Sequence, residues 1–566
     1  MLDSEKTFCM FRWTAGHLAG FVRLLLLGSV WFGQAALGQA QQSNAPVISP
    51  GIPGMQKPAG SEPRFRPGNK SRTSAPLIDL QPADTKQATS EIWYIVLFGD
   101  ERVGYERVTE TQLQSGGQQN SRIRRRRDTQ LALRKFGTDL SVSALQQTLE
   151  NEEGSVLEWS LQRTAADGTT LERSGRWNSE TSTYDVSELV QATRHEFRIS
   201  SGSPARSSMI TEWMPSVLTR QNRSISRFPV LFPETVAIAD IEVRDKGSQT
   251  VRLQNGTSVS ARRFDFWPVI DQTRITSMYI TEQGQVLRTE QPMLGSKLVF
   301  EPADALAAMG HGNTKSLDLE LASIIPIDRP LPNDENWQQV RLRMTVPSPG
   351  HLFLPSGRLQ KAEQTKPEQV DLTIQSPKQI STSTFNTQAS TKAAPEEYLA
   401  ATRLLDIDNY EVQRMSRLAA GSLIDPDTTC RHLSAYLTVN LRRSAFSTSL
   451  APASAIVKNM RGDCSEHAIL LAALMRCNRI PSRVVTGLAY NPKLSGFTAH
   501  MWVEAWIDGD WKAFDSTTGT SAAAPVCIKV LDSSLADQNA NAATLFLPLL
   551  DLMGRAKVKV LTESGF

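Results

Sequence analysis

Cysteine is scarce in this 566-residue sequence, which contains five, and Cys9 lies in the N-terminal segment. The other four are Cys430, Cys464, Cys477 and Cys527. If one of these thiols is needed for chemistry, three remain, so at most one disulfide can form among them. The sequence therefore excludes a protein that is held together by a framework of disulfides.

An excess of charge of one sign is also missing, because 61 lysines and arginines nearly balance 58 aspartates and glutamates. The formal net charge of +3 gives no reason to expect a polyanionic partner, and we predict no binding to nucleic acid. The hydrophobic content of 40% is typical of a globular protein, and the length indicates several domains rather than a single core.

No apolar run is long enough to span a bilayer comfortably. Near the N-terminus, basic residues up to Arg23 precede the short apolar segment Leu24–Phe32, and the small residues of Gly38-Gln39-Ala40 follow it. This order predicts a signal peptide at residues 1–40, with export to the periplasm, the cell surface or the medium. The alternative is an uncleaved N-terminal anchor, and a membrane is a predicted partner only in that case.

Composition divides the rest of the chain into segments. Residues 41–90 are rich in Pro, Gly, Ser and Gln, which predicts a disordered leader, and residues 377–394 have the composition of a linker. Strand-forming runs separated by turn signals predict a β-rich domain at 91–305, as a mostly antiparallel sheet or half-barrel, and a smaller β domain at 316–376. Residues 395–566 form the last predicted domain.

A basic run, Arg122–Arg127, stands out within the β-rich domain. Such a run can bind an acidic polymer or lipid head groups, but it is more often the solvated face of a strand. We prefer the solvated strand.

The residues that could take part in catalysis are concentrated in the stretch 460–519. Gly462 and Asp463 supply turn and helix-cap chemistry before the apolar run Ala468–Met475, which predicts a buried helix with Cys464 in its first turn. Free backbone N–H groups and the helix dipole favour a thiolate at that position. We therefore expect a lowered pKa and a nucleophilic thiol at Cys464.

Two predicted strands follow this helix. Phe497–Ile507 alternates around His500, and a hairpin turn at Asp508-Gly509-Asp510 leads into the strand Trp511–Asp515. His500 lies 36 residues after Cys464, and Asp515 lies 15 residues after His500. A thiol nucleophile needs a base to hold its proton and a carboxylate to orient that base. Cys464, His500 and Asp515 are therefore the candidate catalytic residues.

Three motifs occur in order: Gly462-Asp463-Cys464 before a helix, His500-Met501-Trp502 on one strand, and Trp511-Lys512-Ala513-Phe514-Asp515 on the next. Together they resemble the transglutaminase-like superfamily, whose fold is papain-like, over roughly residues 395–520. The resemblance implies a multidomain protein with a C-terminal α+β transglutaminase-like domain after the N-terminal β domains. It also implies a Cys464–His500–Asp515 triad and a thioester acyl-enzyme.

One feature of the family pattern is missing. Animal transglutaminases have a tryptophan upstream of the cysteine that helps to hold the oxyanion, and papain-like enzymes have a glutamine. No tryptophan occurs between Trp337 and Cys464. The backbone N–H of Cys464 is the one oxyanion donor that the sequence indicates.

Other interpretations of these residues are weaker. His467 is a rival base on the helix of Cys464, but we expect a capped or surface histidine. Cys430 with His432, or Cys464 with His467, could suggest zinc, yet neither pair has the ligand spacing of a structural zinc site. We predict no metal and no cofactor.

The predicted function is that of an exported transglutaminase-like cysteine enzyme that acts on peptide or side-chain amide bonds of a protein or peptide substrate. We prefer hydrolysis, as in a protease or deamidase, because the upstream tryptophan is absent and no visible feature guides an amine. The alternatives are a true protein-glutamine transglutaminase and a catalytically inactive peptide-binding module whose β domains recognise the ligand.

Overall fold

The computed structural model describes residues 88–113, 121–135, 138–164, 170–190, 193–221, 225–269, 275–310, 314–318, 322–331, 337–347, 351–376, 394–443, 450–518, 526–536, 545 and 547–564. The predicted signal peptide and nearly all of the predicted leader and linker lie outside these residues. Export and the cleavage site therefore stay predictions.

Most of the N-terminal half of the described chain belongs to one sheet of sixteen strands. They are β1 (Ala88–Phe98), β2 (Glu101–Leu113), β3 (Arg122–Lys135), β4 (Thr138–Asn151), β5 (Val156–Thr164), β6 (Thr170–Asn178), β7 (Thr183–Val190), β8 (Thr193–Ser200), β9 (Arg206–Ser207), β10 (Ile225–Phe232), β11 (Ala237–Arg252), β12 (Ser258–Pro268), β13 (Thr276–Ile280), β14 (Val286–Met293), β15 (Ser296–Ala303) and β16 (Leu317–Asp318).

Two antiparallel meanders make up most of this sheet, and each joins strands that follow one another in sequence. Strands β1 to β8 are neighbours in sequence order, β10 to β15 are neighbours in the same way, and β15 pairs with β1. Gly99 joins β1 to β2 with a φ of 60°, a conformation that glycine adopts without steric cost. The prediction of a mostly antiparallel N-terminal β structure is confirmed.

One helix, α1 (Ile210–Gln221), covers part of the second meander. Trp213 and Met214 are buried on it and belong to a core cluster with Phe228 and Ile241 of the sheet. The Trp213 and Phe228 rings meet edge to face, with centroids 5.5 Å apart. Burial of two such aromatic side chains fixes the helix on the sheet.

The basic run of β3 is only in part the solvated face that we predicted from the sequence, since Arg122 and Arg126 are exposed. Arg125 and Arg127 are buried, and each pairs with an acidic side chain on a neighbouring strand, Arg125 with Glu150 and Arg127 with Glu106. Since side chains alternate along a strand, only every second arginine of the run can point outward. The composition of the run does not show that acidic partners on neighbouring strands lie on the inner face of the sheet.

A buried ion pair also joins the large sheet to the C-terminal half. Glu188 of β7 is 1% exposed and pairs with both Arg173 of β6 and Arg403, which lies far along the chain. Burial alone would raise the pKa of Glu188, but the two arginines outweigh burial and hold the pKa of the carboxyl below its ordinary value. The charged form of Glu188 therefore stabilises the fold.

Replacing Glu188 with Gln should destabilise the protein by about 3–5 kcal/mol, because two arginines lose their buried counter-charge. A lowered pKa gives stability that is present above the unfolded-state pKa and lost as pH falls through the folded-state pKa, so the difference from wild type should shrink below about pH 4. Denaturant unfolding across pH measures both effects. Asp185→Asn on the same strand breaks an exposed pair with Arg198 and is the control, for which we expect little change. Equal losses in the two variants would contradict the prediction.

A second, four-stranded antiparallel sheet has the order β19-β20-β18-β27. Its strands are β18 (Gln339–Thr345), β19 (Gln360–Lys366), β20 (Gln369–Gln375) and β27 (Lys557–Ser564). The first three fall in the predicted small β domain, whereas β27 comes from the end of the segment predicted as catalytic and pairs with β18 along its length. The two predicted units thus share a sheet.

The C-terminal region combines helices with a five-stranded sheet. The sheet contains β17 (Ile325–Pro326), β23 (Ser482–Asn491), β24 (Gly496–Ile507), β25 (Asp510–Phe514) and β26 (Cys527–Ser533), and a two-stranded parallel pair joins β21 (Arg442–Arg443) to β22 (Arg461–Gly462). The remaining helices are α2 (Ala305–Met309), α3 (Tyr410–Ala420), α4 (Pro426–Asn440), α5 (Ala453–Asn459), α6 (Cys464–Cys477) and α7 (Leu547–Leu552), and Glu396–Tyr398 forms a 3₁₀ turn. None of the helices in the described ranges is both long and apolar enough to cross a membrane.

Candidate active site

The helix α6 begins at Cys464, and its N-terminus is fixed by a capping box. Asp463 Oδ1 accepts a hydrogen bond from the backbone N–H of Ser465 at 2.9 Å, and Glu466 Oε2 accepts one from the backbone N–H of Asp463 at 2.9 Å. All residues from Cys464 to Arg476 are buried. Because both the cap and the body of the helix are held, the thiol at its first residue has a defined position.

The sheet leaves a gap at the place where Cys464 meets it. Along one edge of β24, β17 pairs with residues 496–497 and β25 pairs with residues 503–507. Within the described chain, residues 498–502 have no strand on that side. In this gap the backbone N–H of Met501 donates a hydrogen bond to the sulfur of Cys464, which places the thiol beside the residue that follows His500.

His500 and Asp515 form a hydrogen-bonded pair. Nε2 of His500 lies 2.7 Å from Oδ2 of Asp515, and Oδ1 of Asp515 accepts bonds from the backbone N–H and the hydroxyl of Thr517 at 2.8 and 2.7 Å. Burial would raise the pKa of Asp515, but His500 and the Thr517 bonds outweigh it and hold the pKa below its ordinary value. Asp515 is therefore an anion that can fix the tautomer and the ring orientation of His500.

The ring of His500 is also held on its face. Trp502 stacks on it with ring centroids 6.1 Å apart and an angle of 23° between the planes. Gly487, which lies opposite His500 on β23, makes room for this tryptophan, since an added Cβ would be 2.6 Å from the Trp502 ring. With Nε2 bound to Asp515, the other ring nitrogen, Nδ1, is buried and has no hydrogen-bond partner among the described residues. Nδ1 is thus available to take a proton.

The surroundings of Cys464 oppose its ionisation. Burial raises the pKa of the Cys464 thiol well above its ordinary value, the carboxylates of Asp463, Asp515 and Glu466 raise it further, and the Met501 N–H lowers it in part. Our expectation of a lowered pKa is therefore wrong, because a helix N-terminus contributes only about 0.3–1 kcal/mol at an exposed site and is outweighed here by desolvation. The resting site holds a neutral thiol, and the sulfur becomes nucleophilic as it loses its proton to a base.

The pH profile of alkylation should report this neutral thiol. We expect the rate at which iodoacetamide labels Cys464 to keep rising above about pH 8.5, the ordinary pKa of cysteine, because a raised pKa moves thiolate formation to higher pH. His500→Ala should remove the reaction that occurs near neutral pH, where the base assists. Peptide mass spectrometry after timed labelling gives the profile. A rate that levels off below pH 7 would instead indicate a preformed thiolate.

His467 is buried, whereas we expected a capped or surface histidine. His467 is 2% exposed, and its Nδ1 is hydrogen-bonded to Oγ of Ser516 at 2.9 Å. Ser516 directly follows Asp515, and its carbonyl oxygen accepts a bond from the hydroxyl of Thr438 on α4 at 2.8 Å. Nothing in the local pattern of α6 predicts this contact, because Ser516 is 49 residues away in sequence.

Residues 419–516, which include Cys464, His500 and Asp515, match the family model described as the transglutaminase-like superfamily. The C-terminal region contains a transglutaminase-like domain. The family resemblance seen in the three sequence motifs is thereby confirmed, while the individual roles of the three residues stay predictions. No curated protein matches the chain.

Three solved structures resemble parts of this chain. A candidate cysteine protease from Cytophaga hutchinsonii is 17% identical, with 41% of this chain and 90% of that chain covered and a TM-score of 0.27. A β-barrel-like protein of a domain of unknown function from Brucella abortus is 7% identical, with 38% and 95% covered and a TM-score of 0.27. A candidate protease from Parabacteroides distasonis is 12% identical, with 65% and 68% covered and a TM-score of 0.18. At these scores the likeness supports no conclusion about function.

The three tryptophans that follow the histidine in the transglutaminase-like domain all have partners inside the protein. Trp502 stacks on His500, and Trp506 meets Trp511 with ring centroids 5.2 Å apart. The guanidinium of Arg483 lies 4.0 Å from the centroid of the Trp511 ring. These contacts indicate that the three tryptophans pack against other side chains of the domain.

The four cysteines of the described chain are free thiols. Cys430 is buried in α4, Cys477 ends α6, and Cys527 begins β26. Among the described residues, no group of three or more His, Cys, Asp or Glu side chains is arranged to hold a metal ion.

Proposed function

We propose that the protein is a cysteine hydrolase that cleaves peptide or side-chain amide bonds through an acyl-enzyme on Cys464. The observation that carries the proposal is the arrangement of His500. Its Nε2 is bonded to an anionic Asp515, its Nδ1 is buried without a described partner, and the adjacent Met501 N–H is bonded to the Cys464 sulfur. Only the coarser identity, a transglutaminase-like cysteine enzyme, has support from the family match.

The first half of the reaction forms a thioester. As Sγ of Cys464 attacks the carbonyl carbon of the amide, its proton passes to Nδ1 of His500, and the carbonyl oxygen gains the negative charge. The backbone N–H of Cys464, at the first turn of α6, is a donor for this oxyanion. The protonated His500 then gives its proton to the amine that leaves, so the C–N bond breaks and the thioester remains.

The second half consumes the thioester. A water molecule gives a proton to Nδ1 of His500 as its oxygen attacks the thioester carbon, and the C–S bond breaks with return of that proton to the sulfur. The products are a carboxylic acid and a regenerated thiol. Asp515 stays ionised throughout and stabilises the imidazolium of His500, which offsets the cost of charging a buried ring.

Water rather than an amine is the proposed acceptor. Transfer to an amine requires a site that excludes water and guides a second substrate, work that apolar aromatic walls can do. Trp502, Trp506 and Trp511 are each occupied by contacts within the domain, which supports hydrolysis.

The test is incubation of the full-length protein with a glutamine-containing polypeptide and a fluorescent primary amine. We expect ammonia release or chain cleavage that requires Cys464, with little amine incorporation. Cys464→Ala is the inactive control, and Cys477→Ala, at the other end of the same helix, is the matched active control. Efficient incorporation with little hydrolysis would make the protein a true transglutaminase. Binding of the polypeptide with neither reaction would indicate an inactive peptide-binding module.

A further inference from the structure

His467 and Ser516 are buried, close to the candidate triad, and have no part in the mechanism above. The two side chains are each 2% exposed and are joined by the 2.9 Å hydrogen bond between Nδ1 and Oγ. A buried polar pair of this kind costs free energy to desolvate and must be satisfied internally. His467 lies on the helix of Cys464 and Ser516 follows Asp515, so the pair adjoins the candidate triad.

Three structural elements meet at the site, and a contact at the site joins each pair of them. Helix α6 meets β24 where the Met501 N–H bonds to Cys464. Strand β24 meets the end of β25 where His500 bonds to Asp515. The end of β25 meets α6 where Ser516 bonds to His467. The contacts therefore form a closed ring that passes through all three candidate catalytic residues.

The third contact involves residues that are close in sequence to those of the other two. His467 and Cys464 are three residues apart on α6, so they lie one turn apart on nearly the same helix face. Ser516 adjoins Asp515, so a shift of Ser516 moves the carboxylate that orients His500. The Thr438 hydroxyl holds the Ser516 carbonyl at 2.8 Å and leaves the Ser516 hydroxyl to His467. The segment after β25 is thus fixed from α4 and from α6.

We propose that His467 and Ser516 are positioning residues that hold Asp515 and the nucleophile helix in register, so that His500 faces Cys464. The inference rests on the proposed hydrolase function. It assigns His467 a role other than that of a base, because the ring is tied to Ser516 at Nδ1 and the triad already contains a histidine.

The experiment compares His467→Ala, Ser516→Ala and the double variant in the full-length protein. We expect each single change to lower kcat by about 10–100-fold with little effect on KM, as small misplacements of reacting groups do. The double variant should be no slower than the slower single variant, because both remove one contact. His467→Asn, whose side-chain amide nitrogen can occupy a position close to Nδ1, should recover most of the activity.

The rate of Cys464 alkylation near neutral pH is a second measurement that needs no substrate, and it should fall with kcat in both single variants. His432→Ala replaces an exposed histidine on α4 and is the matched control, with wild-type rates expected. Ser516→Ala deletes a single oxygen atom, so it remains informative if His467→Ala fails to fold in a thermal unfolding test.

Wild-type kcat and alkylation rates in a folded Ser516→Ala would overturn the inference while leaving the proposed function intact. So would activity that survives in His500→Ala but is lost in His467→Ala, since His467 would then be the base. Full amide hydrolysis by Cys464→Ala is a different outcome, because it would remove the proposed function itself and the inference with it.

Discussion

Replacing Cys464 with Ala should lower amide hydrolysis by about 10⁶-fold, the scale seen when the nucleophile of a serine protease is removed. The covalent route depends on this thiol, because the Cys464 sulfur is the group bonded to the Met501 N–H beside His500. The protein should still fold, since the cap of α6 depends on Asp463 and Glu466 rather than on the thiol. The measurement is the rate of ammonia or peptide release, with circular dichroism to confirm the fold.

Cys477→Ala is the control for this prediction. Cys477 lies on the same helix, its thiol faces the carbonyl oxygen of Ile407 at 3.7 Å, and burial raises its pKa to about 11. We expect wild-type activity in that variant. A Cys464→Ala protein that keeps more than a small part of its activity would exclude an acyl-enzyme on Cys464.

Replacing Asp515 with Asn should lower kcat on the order of 10⁴-fold, as loss of the orienting carboxylate does in serine proteases. An amide at this position is neutral and can donate to Nε2 of His500, which selects the wrong tautomer and leaves Nδ1 protonated. It also removes the negative charge that stabilises the imidazolium. The nucleophile is still present, so the loss should be smaller than in Cys464→Ala.

The control for Asp515→Asn is Asp510→Asn at the other end of β25. Asp510 pairs with Arg358 at 2.7 Å, outside the ring of contacts around Cys464. Its replacement should leave kcat close to that of wild type. A single-turnover measurement separates acylation from deacylation in the Asp515 variant, and we expect both to be slow because His500 acts in both. An Asp515→Asn protein with full activity would remove Asp515 from the triad.

Local patterns were sufficient to predict the elements that carry the candidate triad. The helix that begins at Cys464, the strand around His500 and the turn before β25 each have a signal within about ten residues: a cap, an alternation, or an Asp-Gly pair. The structure has them as α6, β24 and β25. Motifs of this kind are predictable because the backbone conformation depends on neighbours in sequence.

Features that depend on distant residues were missed. The acidic partners of Arg125 and Arg127 lie on other strands or in other hairpins, and the partner of His467 lies beyond β25. Our prediction of the direction of the Cys464 pKa shift was wrong for the same reason. The helix dipole can be read from the sequence, whereas desolvation and the proximity of Asp515 exist only after folding.

Strand β27 has a consequence for the way the polypeptide reaches its native state. It completes the second sheet by pairing with β18, about 200 residues earlier in the chain. During vectorial synthesis β18 is available long before β27 has been made, so its open edge presents unpaired backbone groups to any other nascent chain. Newly made molecules should therefore be most prone to aggregate in the interval after β18 emerges from the ribosome and before Lys557 does. A holdase that covers β18 during that interval would raise the yield of native enzyme.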